Sequence, residues 1–286
     1  MRFAAIRTIA SVLAVGRRCT LLDVSRSGYY AWCRRGDSRR AVANRMLVGA
    51  MVQVHQAVDR TYGSPRMQRE LVGQGFPCGR HRIARLMQAH GIRAKQARRF
   101  RVTTDSRHGF AIAPNRLERQ FTVGAPNRVW MSDVTYLPTA AGWCYLAVVI
   151  DAYSRRVIGW ALASQLTATL TLAALDQALA ARRPPWGVLH HSDRGIQYAC
   201  TAYRTALARH GIEASMSRRG NCWDNAVVES FFASLKTERT DEKRYATVEE
   251  AEADVRDYIE RFYNRQRRHS TLGHLSPAIF ELHQVA

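Results

Sequence analysis

Three acidic residues lie in apolar stretches, where a carboxylate needs a chemical reason to be kept. Asp133 is central in VWMSDVTYLP, Asp193 ends GVLHHSD, and Glu229 lies in NAVVESFFASLK, with 35 residues between Asp193 and Glu229. Converging carboxylates repel one another unless divalent cations neutralise them. All-oxygen ligands suit Mg²⁺ or Mn²⁺, and two such ions can activate a nucleophile against a phosphodiester. The three acids are therefore candidate catalytic and metal-binding residues.

The elements around these acids predict how they meet. In order they are strands in VWMSDVTYLP, AGWCYLAVVID and RRVIGWAL, a helix over residues 168–182, a strand in GVLHHSD, a helix to His210, a strand in EASMS, and the helix that contains Glu229. The first three strands form a meander, and right-handed crossovers make the later strands parallel to the first. If the strand before Asp193 lies beside the first strand, Asp133 and Asp193 become neighbours. The last helix then brings in Glu229.

The helix that contains Glu229 predicts a functional face. Asn225, Glu229 and Lys236 follow one another at helical spacing, so an amide, an acid and a base lie in line. Lys236 and Asn225 are candidate DNA contacts, with Lys236 meeting a phosphate. The alternative roles are ordinary: a solvated edge-strand acid for Asp133, a helix N-cap for Asp193, and a salt bridge to Lys236 for Glu229. Spacing alone does not separate the two interpretations.

Other polar residues near these motifs have simpler explanations. Asp151 fits a turn and Asp224 fits a helix start. His190 and His191 precede Asp193 and are candidates to touch substrate or metal, or else strand residues with satisfied rings.

The positive charge is concentrated in the first part of the chain. The 286 residues carry a formal charge of +20, and residues 1–128 hold 25 Lys and Arg against 6 Asp and Glu, while residues 129–286 hold 18 against 17. Such charge favours a polyanionic partner. A membrane surface is the lesser candidate, because no polybasic tail accompanies a long amphipathic stripe. We therefore expect nucleic acid.

Residues 61–92 predict two short helices around a glycine-containing turn. Ser64 is a candidate N-cap for the first, and the second begins near Arg80. The pair resembles a helix-turn-helix, in which Arg80, Arg82 and Arg85 are candidate DNA contacts. A helical packing module with a solvated basic surface is the alternative.

Three further basic segments remain open. Residues 21–35, with Ser25 as a cap and a stripe at Tyr29 and Trp32, are either a second DNA-contacting element or core. The region between the helix pair and the first strand is a linker that either follows a phosphate backbone or is merely solvated. The helix that begins with the capping box of Thr247 ends in cations at 265–269, which either grip DNA or complement the helix dipole.

The cysteines and the apolar runs indicate a reducing compartment. Six cysteines never approach the spacing of a zinc or thiol redox motif, which predicts buried thiols. The first residues lack a convincing signal-peptide pattern, and the run WCYLAVVI is too short to span a bilayer. We expect a cytoplasmic protein that does not enter a membrane.

A combination of motifs carries a family resemblance. They are VWMSDVTYLP, VVIDAYSRRVIGWAL, HHSDRGIQYAC, RGNCWDNAVVESFFASLKTE, YNRQRRHSTLGHLSPAIFE and, near the front, VSRSGYYAW. The chain resembles the second-frame (OrfB) transposases of the insertion sequence three family of bacterial mobile elements, relatives of retroviral integrases. The resemblance implies an RNase H-like core with its acidic triad on Asp133, Asp193 and Glu229 and its basic residue on Lys236. It further implies Mg²⁺-dependent cleavage at the element ends and transfer of the 3′-hydroxyl into DNA.

The predicted organisation is an α/β fold, an RNase H-like mixed sheet flanked by helices, after a small all-α DNA-binding region. The predicted parts are an N-terminal helical segment (1–40), a helix-turn-helix-like domain (41–95), a basic linker (96–124), the RNase H-like integrase catalytic core (125–240) and a C-terminal helical extension (241–286). Expected partners are DNA at the element ends and target, further copies of the chain on DNA, and an upstream-frame (OrfA) protein. The alternatives to a transposase are a non-catalytic DNA-binding regulator or decayed remnant, and a structure-specific nuclease.

Overall fold

The computed structural model describes residues 2–8, 13–96, 112–218 and 222–283. Six helices of this part precede the sheet: α1 (Arg2–Thr8), α2 (Val15–Leu21), α3 (Arg26–Arg34), α4 (Arg39–Ala57), α5 (Ser64–Gly73) and α6 (Arg80–Ala89). Then come β1 (Val129–Thr139), β2 (Gly142–Asp151), β3 (Val157–Ala163), α7 (Ala168–Arg182), β4 (Leu189–Ser192), α8 (Ile196–Ala199), α9 (Thr201–Arg209), β5 (Glu213–Met216), α10 (Ala226–Leu235), α11 (Val248–Arg256) and α12 (Pro277–His283). Every predicted strand is present, and one predicted helix is two, α8 and α9, because the chain is extended at Cys200.

The strands form one mixed sheet in the order β3-β2-β1-β4-β5. β1, β2 and β3 pair antiparallel, as the predicted meander requires. β4 pairs parallel with β1, and β5 parallel with β4, because helices carry the chain back between these strands. The predicted α/β class is confirmed, and the sheet is consistent with the RNase H-like fold. The C-terminal end of β4 therefore lies beside the middle of β1, the central strand.

Each face of the sheet carries its own apolar cluster. Side chains alternate across a strand, so the adjacent residues Trp130 and Met131 of β1 belong to opposite clusters. The Trp130 cluster includes Leu175 of α7, and the Met131 cluster includes Phe231 of α10. α10 is therefore held against the face of the sheet that carries Met131.

The helix-turn-helix-like region packs against the sheet and the helix α10. Met51 of α4, Leu71 of α5 and Ile83 of α6 belong to the same apolar cluster as α10. Nε of Arg268 lies 2.7 Å from a carboxylate oxygen of Glu70 on α5. The predicted domain limits stay predictions, and these contacts show that the two regions share one core.

Helix caps follow the predicted signals with one exception. Ser25 accepts a hydrogen bond from the amide of Gly28 at 3.0 Å, and Thr247 accepts one from Glu250 at 3.3 Å, so both predicted caps are confirmed. The prediction for Ser64 is wrong, because Gly63 precedes α5 and Ser64 is already its first helical residue.

The described part of the predicted linker packs against the core. Leu117 is buried, Arg116 pairs with Glu213, and Nε of Arg119 lies 2.9 Å from a carboxylate oxygen of Asp224. Over residues 112–124, therefore, both arginines pair with acids of the protein while their side chains stay exposed, and the contact of the linker with a phosphate backbone stays a prediction. Residues 97–111 of the linker lie outside the described residues.

Most of the cationic side chains at residues 265–269 make contacts inside the protein rather than with solvent. Arg267 is buried with its Nε 2.7 Å from Glu238, Arg268 pairs with Glu70, and His269 is buried. Burial lowers the pKa of His269 to about 3, so its ring is neutral. The predicted DNA binding by Arg267, Arg268 and His269 is therefore contradicted. Arg265 remains exposed.

The cysteine prediction holds only in part. Cys19 and Cys144 are buried free thiols, but Cys33 is exposed. Of the helices in the described ranges, none is long and apolar enough to cross a membrane.

Candidate active site

Strand register places two of the predicted acids side by side. Ser132 of β1 pairs with Ser192 of β4, and Asp133 and Asp193 are the residues that follow them. Parallel strands lie about 4.8 Å apart, so Asp133 inside β1 and Asp193 just after the end of β4 lie at the same level of the sheet. The predicted adjacency of Asp133 and Asp193 therefore follows from the sheet itself.

Backbone amides orient both aspartates. Oδ1 of Asp133 accepts a hydrogen bond from its neighbour Val134 at 2.8 Å, and Oδ1 of Asp193 accepts one from Gly195 at 2.8 Å. Each carboxylate is thus fixed by the chain that immediately follows it.

α10 brings the third acid to this sheet end. Val228, Phe231 and Leu235 are buried against the sheet and anchor the helix. Glu229, on the half-buried side of the helix, lies close enough to Asp133 to raise the pKa of that aspartate. The apolar neighbours of Glu229 therefore position the helix, and the charge of Glu229 acts on Asp133.

The electrostatics of Asp133 show how crowded this centre is. Burial raises the pKa of Asp133 well above its usual value, and the charge of Asp193 and then that of Glu229 raise it further. The amide of Val134 and the charge of Lys236 act in the opposite direction. Burial also raises the pKa of Glu229. The site thus concentrates negative charge with only partial compensation from the protein.

The donor set fits a hard divalent cation. Three carboxylates offer the oxygen ligands that such a cation prefers. The negative charges around Asp133 repel one another, and a bound cation would reduce that repulsion. Within the described ranges, no three His, Cys, Asp or Glu side chains are already gathered tightly enough to hold a single ion.

Lys236 lies at the same site as the acids. Its Nζ is 4.9 Å from the ring centroid of Tyr136 on β1, and its charge reaches Asp133. The helix changes at this residue, because α10 ends and the π-helical segment Lys236–Thr240 begins. The lysine is therefore placed to bring a positive charge to whatever binds at the acids.

Asn225 does not present its side chain to DNA, which contradicts its predicted role. The residue is buried, and its Nδ2 donates to the carbonyl of Ser132 at 3.1 Å. Ser132 immediately precedes Asp133, so this bond fastens the start of α10 to β1 beside that acid. Its Oδ1 is buried and has no hydrogen-bond partner within the described part of the chain.

The three arginines predicted to contact DNA on α6 divide into two groups. Arg82 donates two hydrogen bonds to Oδ1 of Asn44 on α4, at 2.9 and 2.7 Å, so it holds helices together. Arg80 and Arg85 are exposed. The DNA role predicted for Arg82 is therefore replaced by a structural one, and those of Arg80 and Arg85 stay predictions.

The two histidines beside Asp193 have satisfied rings, which is the simpler of their two predicted interpretations. Nε2 of His190 lies 2.8 Å from Oγ of Ser132, and His191 contacts the hydroxyls of Ser215 and Ser217. Burial lowers the pKa of His190 to about 3 and that of His191 to about 4. Both rings are neutral and structural.

The sequence analysis did not predict the roles of two residues near the site. Asp224 is buried and accepts hydrogen bonds from Arg218, Arg119 and Asn115, so it does more than start a helix. The hydroxyl of Tyr198 is buried with no partner in the described residues, within electrostatic reach of both aspartates. Neither the ion pairs of Asp224 nor the burial of Tyr198 leaves a signal in the local sequence, so neither role could be predicted from it.

The fold and the site together define an integrase-type core, a class of DNA strand-transferring enzymes. Two family models described as "Integrase core domain" match residues 124–222 and 210–277, and one described as "HTH-like domain" matches residues 42–100.

Relatives place the chain more narrowly. It is 45% identical over 270 residues, covering 94% of this chain and 99% of the relative, to an uncharacterized 31 kDa protein of insertion element IS600 from Shigella sonnei. It is 40% identical over 288 residues, covering 100% of both chains, to the transposase InsF for insertion sequence IS3fB of Escherichia coli. The chain belongs to the IS3 family of bacterial insertion-sequence transposases.

Structural similarity to solved proteins is weaker. A simian T-cell lymphotropic virus intasome aligns at a TM-score of 0.47 and 16% identity, covering 81% of this chain and 74% of that one. The catalytic core of BIV integrase aligns at 0.42 and 20%, covering 56% and 96%. The family assignment depends on the sequence relatives.

Proposed function

We propose that Asp133, Asp193 and Glu229 are the catalytic residues of this transposase and hold two Mg²⁺ ions, for which Mn²⁺ can substitute. The observation that carries the proposal is the position of Asp133, whose pKa is raised by burial and by the charges of both other acids. When bound, the ions would activate a water or a 3′-hydroxyl on one side of a phosphodiester and stabilise the leaving oxygen on the other.

The residues of the chain have separate tasks in this proposal. β1 and β4 hold Asp133 and Asp193 at a fixed spacing, and α10 brings Glu229 to them. Asp133, whose pKa responds to the charges of both other acids, would be a ligand of the metal. Asn225 ties α10 to β1, so the distance between Glu229 and the aspartates is set by a hydrogen bond.

DNA binding requires positive charge near the acids. Lys236 supplies it at the site, where it meets a phosphate of the strand being cut. Arg80 and Arg85, exposed on α6, contact DNA further away.

The chemistry is balanced without an energy-rich cofactor. Water first attacks the phosphodiester at an element end, which breaks one P–O bond, forms another and frees a 3′-hydroxyl. That hydroxyl then attacks a target phosphodiester, and the displaced target strand leaves as a new 3′-hydroxyl. Because two ends must be joined to one target, we expect several copies of the chain to assemble on DNA; the OrfA partner also stays a prediction.

The test is a cleavage and joining assay on labelled duplexes that carry candidate element ends. Wild-type protein, Glu229→Gln and the control Asp176→Asn, an exposed acid on α7, are compared in Mg²⁺, Mn²⁺ and EDTA. We expect nicked and joined products with wild type and Asp176→Asn in either metal, and none in EDTA. Glu229→Gln should lose both products and keep DNA affinity with unchanged salt dependence, because it removes no phosphate contact.

Three outcomes contradict the proposal. Loss of DNA binding by Glu229→Gln would make the residue structural. Tight binding by wild type without any product would favour the non-catalytic alternative, unless a fusion to the upstream-frame product restores activity. Hydrolysis without joining would indicate a nuclease.

A further inference from the structure

The first three helices form a small unit that none of the functions above uses. Ile6 of α1, Cys19 of α2 and Tyr29 of α3 are buried together in an apolar cluster separate from the two clusters of the sheet. The matches to family models begin only at residue 42. We call α1, α2 and α3 the N-terminal unit.

A tight turn joins α2 to α3. The amide of Leu22 bonds the carbonyl of Arg18 at 3.1 Å, the amide of Val24 bonds that of Cys19 at 3.0 Å, and Asp23 between them has a φ of 50°. Ser25 then caps α3. Two helices joined by four residues, with one left-handed residue in the turn, have the build of a helix-turn-helix.

α3 has one face in the core of the unit. Tyr29 and Trp32 turn inward, where their rings lie 6.3 and 5.9 Å from the ring of Phe3 on α1. The guanidinium of Arg7 lies 5.1 Å from the Trp32 ring centroid and covers that side. Packing therefore uses only part of α3.

The other face of α3 is exposed and rich in hydrogen-bond donors. Arg26, Ser27, Tyr30 and Arg34 are all exposed. Tyr30 lies four residues after Arg26, three after Ser27 and four before Arg34, so the four side chains lie on one side of the helix. Tyr30 is 44% exposed although it directly follows the buried Tyr29. α3 contains no acidic residue. A core helix has no need of such a face.

α2 carries one buried and one exposed arginine. Arg18 is buried and donates from Nη1 to the carbonyl of Ile6 at 2.5 Å, which ties α2 to α1. Its neighbour Arg17 is exposed. In a helix-turn-helix the first helix crosses the DNA backbone while the second enters the major groove. Arg17 has the charge and the position for that backbone contact.

We propose that α3 is a recognition helix that binds double-stranded DNA in the major groove. Arg26, Ser27 and Tyr30 contact base edges, while Arg17 and Arg34 contact phosphates. Guanidinium and hydroxyl groups are suited to the acceptor-rich groove edges of guanine and adenine. The proposal relies on DNA as the substrate of this transposase and adds a second DNA-contacting element to the HTH-like domain.

The test selects binding sites from a random duplex library with the full chain in EDTA, so catalysis plays no part. The test variant is Ser27→Ala with Tyr30→Ala, which leaves the charge unchanged. The control is Met46→Ala, which removes a 63% exposed apolar side chain from α4. Near-ultraviolet circular dichroism of each variant verifies that the aromatic core is intact, and Tyr30→Phe, which loses only a hydroxyl, serves as a second and milder variant.

We expect wild type and Met46→Ala to select the same two blocks of sequence. The double variant should lose one block and bind the wild-type site at least tenfold more weakly, with unchanged affinity for unrelated duplexes. Arg34→Gln should instead weaken binding to all duplexes and reduce the salt slope by about one. The proposal is overturned if wild type selects no sequence, or if the double variant and Tyr30→Phe select the wild-type site with wild-type preference. A failure of strand transfer would leave this binding result intact, so the two proposals fail separately.

Discussion

At the residue scale, Asp133 works against the stability of the metal-free protein. Asp133 is half-buried, and burial together with the charges of Asp193 and Glu229 raises its pKa. Catalytic groups are often kept at a cost in stability. In the proposed function, the same repulsion would favour the binding of a divalent cation.

Replacing Asp133 with Asn should therefore stabilise the protein in EDTA by about 1 kcal/mol, because the repulsion disappears. Adding Mg²⁺ should raise the melting temperature of wild type and leave that of Asp133→Asn unchanged, since only wild type gains from ligand binding. Thermal unfolding with and without Mg²⁺ measures both effects, and Asp176→Asn should behave as wild type. An equal response of Asp133→Asn to Mg²⁺ would argue against metal binding at this residue.

Asp224 shows the opposite behaviour of a buried acid. Hydrogen bonds from Arg218, which also donates from its backbone amide, lower its pKa, and Arg119 adds to this effect. The folded-state pKa of Asp224 lies below the unfolded value of about 3.9. Its stabilisation is thus complete above that value and is lost as the pH falls towards the folded-state pKa.

Asp224→Asn should cost about 2 kcal/mol at pH 7, since charge-assisted hydrogen bonds are lost. The difference from wild type should stay constant above about pH 5 and shrink below about pH 4, where wild type begins to lose the same interaction. Urea unfolding at several pH values measures this. Asp23→Asn, at a side chain that is 99% exposed, should change stability little at any pH. A difference that grew on acidification would contradict the assignment.

At the scale of elements, one glycine decides how closely α7 lies on the sheet. A Cβ built on Gly159 of β3 would be 2.1 Å from the carbonyl oxygen of Ala174 and 2.7 Å from the amide nitrogen of Ala178, both in the backbone of α7. Backbone atoms in a helix cannot move aside individually. The strand and the helix can pack at this distance only with glycine at this position.

Gly159→Ala should destabilise the protein by about 3 kcal/mol, as overpacking against backbone does. Gly49 on α4 is the matched control, because a Cβ there meets nothing within 4 Å. Gly49→Ala should stabilise by about 0.5–1 kcal/mol through helix propensity. Chemical denaturation of both variants gives the two values, and equal effects would show that α7 does not touch Gly159 in solution.

α10 shows a second feature at this scale. The helix continues into the π-helical segment Lys236–Thr240, in which Glu238 is buried. A π turn adds one residue per turn and so rotates the following side chains relative to an α-helix. Glu238 consequently faces Arg267, while Lys236 stays near Asp133.

At the scale of the whole molecule, a buried ionic group connects three regions. Glu238 accepts hydrogen bonds from Arg66 of α5 at 3.2 Å, from Arg267 at 2.7 Å and from the hydroxyl of Tyr258 at 2.8 Å. Lys95 donates to the backbone carbonyl of Glu238 at 2.8 Å. This Glu238 cluster joins the HTH-like domain, the end of the catalytic helix and the C-terminal region.

Glu238→Gln should destabilise the protein by about 3 kcal/mol, because it leaves the buried guanidinium of Arg267 and the partly buried one of Arg66 without their counter-charge. Wild type should unfold in one cooperative transition, and the variant should unfold the α4–α6 region before the sheet. Fluorescence and circular dichroism during denaturation would separate the two transitions. Glu242→Gln, whose carboxylate pairs with Arg60 at a half-exposed site, should cost less than about 1 kcal/mol. Equal costs would show that the Glu238 cluster does not couple the regions.

The sequence by itself determined the strands of the sheet, several of the helices and the identity of the candidate acids. Alternating apolar residues and turn signals gave every strand, and helix rules gave the bounds of α7 and the caps at Ser25 and Thr247. These features are local, so spacing along the chain contains them. The parallel pairing of β1 with β4 also follows from a general rule of chain handedness.

Only the tertiary structure decided which polar side chains belong to the interior. Asn225, Arg82 and Arg267 look like surface groups in the sequence, yet they bond Ser132, Asn44 and Glu238 across the fold. Those partners lie between 29 and 93 residues away along the chain. A polar side chain can be buried when a residue distant in the sequence supplies its hydrogen-bond partner. The local sequence around the side chain contains no information about that partner.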